Sequence, residues 1–88
     1  MFQLEWRGLA LSHLTDEWLK AESPLRATIT AAIYEVEQRL KRAPDIAGES
    51  REPGTRVLIL NPLTVMFHVN VRTKIVLISG VRVSRRRS

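Results

Sequence analysis

The sequence predicts an α+β fold: a short N-terminal strand, a two-helix hairpin, then a three-stranded antiparallel meander, with the helices packed on one sheet face. Three observations predict it. The hydrophobic period is two at the very start, three to four over the next part of the chain, and two again from residue 56 onward. A stretch with two prolines and two glycines, residues 44–55, stands where the period changes. The chain of 88 residues, 44% hydrophobic and 26% charged, has the composition of a folded protein and the length of one core. Residues 1–84 therefore read as a single domain and residues 85–88 as a basic C-terminal tail.

Phe2, Leu4 and Trp6 alternate with Gln3 and Glu5, the pattern of a half-buried strand. From Gly8 to about Lys20 the apolar residues Leu11, Leu14 and Trp18 recur at helical spacing, with Asp16 four residues before Lys20 as a favourable pair. Glu22-Ser23-Pro24 then starts a second helix, with Ser23 as N-cap and Pro24 at the first helical position. Its stripe of Leu25, Ile29, Ala32, Ile33, Val36 and Leu40 steps by three and four; Glu35/Arg39 and Glu37/Lys41 pair on the outside, and Pro44 ends the helix. Residues 44–55 read as a connecting loop. Strands are expected over residues 56–60, 64–71 and 74–83, separated by Asn61-Pro62-Leu63 and by Arg72-Thr73. On the middle strand Val65, Phe67, Val69 and Val71 share the face the helices cover, and Met66, His68 and Asn70 share the other. Periodicity assigns Trp6 and Trp18 to the core.

Most catalytic classes fail by inventory. There is no cysteine, which removes disulfides, thiolate metal sites and a cysteine nucleophile, and makes the cytosol the expected compartment. There is no glycine-rich phosphate loop and no cluster at metal-ligand spacing, so neither metal nor cofactor is expected. Glu5 and Arg7 interrupt the N-terminal apolar stretch, and no run approaches the roughly 18 residues of a membrane span. His13, beside Ser12 and near Asp16, has the spacing of an ordinary helix surface. Glu35 and Glu37 face different directions and make no acid/base dyad.

What remains is charge. Residues 1–50 hold 6 Lys/Arg against 8 Asp/Glu, net −2, whereas residues 51–88 hold 8 Lys/Arg against Glu52 alone, net +7. Such a one-sided field attracts a polyanion or an acidic protein. Arg51, Arg72, Lys74, Arg85 and Arg86 are the candidate nucleic-acid contacts, although terminal arginines such as Arg85 to Arg87 equally suit a solvated tail. Arg56 and Arg82 differ, because each sits inside an apolar strand where a charged group needs a solvated face or a partner. His68 reads first as a strand-surface histidine and otherwise as a proton-transfer or base-stacking group beside those arginines.

The order of elements, with LEW opening the chain, the run PDIAGESREPGTRVLIL, and TVMFHV followed by KIVLISGVR, resembles the RelE/ParE superfamily of bacterial type II toxin–antitoxin modules across nearly the whole length. The resemblance implies a toxin wrapped and silenced by an antitoxin peptide. It implies one of two targets: messenger RNA, cleaved on the ribosome by RelE-like members, or DNA gyrase, inhibited by ParE-like members. In the ribonuclease branch, basic residues on the meander stabilise the cleaving phosphate and a C-terminal tyrosine or histidine assists proton transfer. Arg56 and Arg82 match basic positions of the first and last meander strands, which makes Arg56, Arg82 and His68 the catalytic candidates. Leu58 stands where a second lysine is often found, Thr64 stands at a usual arginine, and the chain ends SRRRS with no aromatic after Arg82. A non-catalytic module that binds only gyrase or its antitoxin, and an unrelated small basic nucleic-acid-binding domain, therefore stay open, as does a homodimer.

Overall fold

A computed structural model describes residues 1–84, so Arg85, Arg86 and Arg87 lie outside the described residues. The elements are β1 (Gln3–Trp6), α1 (Gly8–Lys20), α2 (Ser23–Arg42), β2 (Glu49–Glu52), β3 (Thr55–Leu60), β4 (Leu63–Asn70) and β5 (Ile75–Val83). The strands form one five-stranded sheet in the order β1-β5-β4-β3-β2. β1 runs parallel to β5 and the other neighbours are antiparallel, so the sheet is mixed.

The expected meander is β3-β4-β5, but the sheet has one more strand than expected. Residues 49–52, placed in a loop by composition, pair with β3 as Glu49↔Val57, Ser50↔Arg56 and Glu52↔Thr55. All four residues of β2 are exposed. An edge strand held by backbone bonds alone buries no side chain, so no hydrophobic alternation announces it. The β3–β4 connection is the two-residue turn Asn61-Pro62, with a cis peptide bond, and Leu63 opens β4 opposite Leu60. β4 ends at Asn70; Val71 and Lys74, expected in strands, belong to the turn that follows.

The core lies between the helices and one sheet face. Ile29, Val36, Leu40, Val65, Phe67, Val76 and Ile78 have no exposed surface. Each contributes roughly 1.5–3 kcal/mol relative to an exposed side chain. The α2 stripe is the one its spacing predicts, but α2 begins one residue early: Glu22 is the N-cap and makes no side-chain bond, while Ser23 is already helical. In α1 the buried residues are Ala10 and Leu14, and Leu11 is 49% exposed. The inward stripe of α1 is Ala10, Leu14 and Trp18, a strict i,i+4 ladder that leaves Leu11 to one side.

Both tryptophans flank the core. Trp18 joins the helices: its Nε1–H donates to Thr30 Oγ1 at 3.1 Å, and the Arg26 guanidinium stacks 4.6 Å from its ring centroid. Arg26 also donates to the carbonyls of Trp18 and Leu19, at 2.9 and 2.7 Å, and so satisfies the C-terminal end of α1. Of the pairs expected along the helices, Glu35–Arg39 closes at 3.2 Å, whereas Asp16–Lys20 and Glu37–Lys41 do not form. No helix among the described residues is long and apolar enough to cross a membrane.

An irregularity in β5 decides which side chains share a face. Phe67 opposes Ile78 and Met66 opposes Gly80, so Ser79 is an extra residue. Before it Val76 and Ile78 point to the core; after it Val81 and Val83 do. The bulge shifts the alternation by one residue and sends Arg82 to the face away from the core.

Candidate functional site

On that second face, Val57 of β3, Thr64 and Met66 of β4, and Ser79, Gly80 and Arg82 of β5 line a cleft of about 600 Å³. The first turns of α1 wall it with Leu9, Ala10 and His13, and Arg51 of β2 reaches it from the other side. Arg82 opposes Thr64 across the β4–β5 ladder and is exposed. Arg51 stands 3.7 Å from the Glu49 carboxylate, and both side chains are largely open to solvent. Screening by water leaves such a pair little energy, so Arg51 is free to exchange Glu49 for a stronger anion.

The floor is apolar. Gly80 leaves room for Met66 to fold across β5, since a Cβ there would lie 2.6 Å from Met66 Cε. Leu9 is 86% exposed at the rim and Met66 45% exposed within it. The lining thus combines two guanidinium forks, one imidazole and a patch of thioether and aliphatic surface, with no carboxylate among its side chains. That set suits a ligand carrying a phosphate next to a flat apolar group, as a nucleotide does. Among the described residues no three or more His, Asp or Glu side chains come together as a group that could hold a metal ion.

The candidates from sequence are distributed unevenly around this cleft. Arg82 and Arg51 share it. Arg56 does not: its cross-strand partner is Phe67, which places it on the covered face, and it donates Nε–H to the Ala47 carbonyl at 2.9 Å and Nη2–H to the Gly48 carbonyl at 3.1 Å. Arg56 and Arg82, both candidates from sequence, therefore lie on opposite faces, because the β5 bulge turns Arg82 away from the core. His68 is on the second face, but four residues along β4 from Thr64, or about 13 Å at the usual strand rise. Its Nδ1 lies 3.4 Å from Thr55 Oγ1, and it lines a separate cleft of about 670 Å³ with Glu5, Gly54 and Arg72. Arg72 sits in the β4–β5 turn, where Asn70 Oδ1 accepts from the Arg72 and Thr73 N–H groups at 3.0 and 3.1 Å. Lys74, at φ 62°, holds its ammonium 5.0 Å from the centroid of the Phe2 ring and lines neither cleft. His13 is the site residue that periodicity passed over. Its spacing is that of a plain helix surface, and only the docking of α1 beside the end of β5 gives it a place.

No family model matches the chain, and no curated protein matches it. Solved structures do. A chain of the chromosomal ParDE TA system from P. aeruginosa is 25% identical, with 97% of this chain and 98% of that one covered and a TM-score of 0.67. A chain of the RelBE2 toxin–antitoxin complex from Mycobacterium tuberculosis is 15% identical over 93% of this chain and 96% of that one, with a TM-score of 0.71. The isolated E. coli RelE toxin is 18% identical over 100% of this chain and 89% of its own, with a TM-score of 0.62.

Proposed function

Because the chain has the fold of the RelE/ParE superfamily toxins over nearly its whole length, we propose that it acts as the toxin of a toxin–antitoxin module and works on RNA through the cleft of Arg82 and Arg51. An antitoxin protein is the partner that silences it. The observation that carries the RNA reading is the meeting of two arginines in one cleft without a carboxylate among the lining side chains. In cleavage of a ribonucleotide the 2′-oxygen attacks the adjacent phosphorus and the 5′-oxygen leaves. Negative charge builds on the non-bridging oxygens, where Arg82 and Arg51 place fixed positive charge. His13, at the wall of the same cleft, is the group able to exchange a proton with the attacking or leaving oxygen. Thr64 contributes no charge, so the reaction is slower than one run by three cations. Messenger RNA on the ribosome is the form of RNA that the family resemblance suggests.

A second reading, a gyrase-directed inhibitor without catalysis, is favoured by the ParDE likeness, at 25% identity against 15% and 18% for the Rel structures. Induced expression without a partner separates the readings. Growth arrest with new messenger RNA ends supports cleavage, and loss of supercoiling with intact transcripts supports the gyrase reading. Unimpaired growth with the intact soluble protein would remove both. In the cleavage case, Arg82→Ala lowers the rate by about 10²–10³-fold, the usual effect of deleting one charge-stabilising group.

A further inference from the structure

We infer that Arg56 is a positioning residue, which fixes strand β2 and through it the reach of Arg51 into the cleft; the inference rests on the cleft being the working site. β2 has four residues, all exposed, and pairs on one side only. No apolar side chain anchors it. It is held by the way the chain approaches it. Pro44 is fully buried, Ala47 packs against the core, and Gly48 takes φ 66° so close to β3 that a Cβ would collide with the Val57 carbonyl.

Arg56 locks that approach from the covered face. Its guanidinium bridges two consecutive carbonyls, Ala47 at 2.9 Å and Gly48 at 3.1 Å, with charge-assisted bonds in fixed fork geometry. Arg56 is also the ladder partner of Ser50. The register then slips: Ser50 pairs with Arg56 and Glu52 with Thr55, which leaves Arg51 as the extra residue. A bulge re-aims the side chain it carries. Arg51 accordingly lines the cleft on the second face, where Arg56 itself makes no contact. A cation on the covered face thus sets the position of a cation on the other.

Two measurements on the purified full-length chain test this: amide hydrogen exchange, and binding of a short single-stranded RNA as a function of salt. Arg56→Gln and Gly48→Ala should both speed exchange over residues 49–52 by tenfold or more while the amides of β4 stay protected, which also shows that each variant is folded. Both should weaken RNA binding as Arg51→Ala does, and lower the slope of log affinity against log salt by about 0.7, the value for one lost phosphate contact on a single strand. Gly48→Ala removes no charge, so its lower slope would report displacement of Arg51 alone. The Arg51→Ala/Arg56→Gln double variant should bind no worse than the weaker single one. Unchanged exchange over 49–52, or full additivity of the two arginine variants, would overturn the inference and make Arg56 independent of Arg51. An Arg82→Ala chain that binds RNA like the parent would instead remove the cleft reading and the inference with it, whatever β2 does.

Discussion

On the covered face of the sheet Val65, Phe67, Val76 and Ile78 have no exposed surface, whereas on the second face Thr64, Met66, Leu77 and Arg82 are all partly or largely open. The same strands supply both sets. Period-two alternation therefore divides each strand between two tasks, since the covered positions carry the free energy of folding and the open ones are free to carry charge and shape. Substitutions one residue apart should be read out by different experiments.

The strongest way to break the division lies within one dipeptide. Phe67→Ala should cost about 3–5 kcal/mol, and Met66→Ala about 1 kcal/mol or less, measured by urea denaturation at constant m-value. Equal losses would mean that the second face is packed against something in solution. A smaller contrast of the same kind concerns the two strand arginines. Arg56→Ala loses two charge-assisted bonds to carbonyls that water can partly replace, for about 1–2 kcal/mol, while Arg82→Ala should stay within about 0.5 kcal/mol of the parent.

These contrasts also mark what the sequence could show. Burial demands apolar residues at a fixed period, so the α2 stripe and the Val65/Phe67 face are legible in the sequence alone. The strand TRVLIL was not, in one respect: residues 55–60 are apolar on both parities apart from Thr55 and Arg56, so nothing local tells which face Arg56 takes. Arg82 was obscured by the bulge, which depends on pairing with β4 and not on its own neighbours. β2 was hidden because ESRE buries nothing. The cleft itself arises where α1 meets the end of β5, a tertiary juxtaposition that brings His13 in and leaves His68 in a different cleft.

The smallest effect on stability should come from the change that adds most to the site. Thr64 is partly exposed on the second face, directly opposite Arg82 in the ladder, and it occupies the position at which the family resemblance calls for an arginine. Thr64→Arg places like charges across the strands, a repulsion of a few tenths of a kcal/mol at an exposed pair, and leaves the core untouched. The variant should unfold within about 0.5 kcal/mol of the parent, yet bind single-stranded RNA more tightly, with a salt slope steeper by about 0.7. The same arginine one residue further on, as Val65→Arg, would enter a site with no exposed surface and prevent folding. If Thr64→Arg unfolded as readily as Val65→Arg, the second face would be a second core; if it folded but gained no affinity for RNA, the cleft would be open to solvent without being the place where RNA is held.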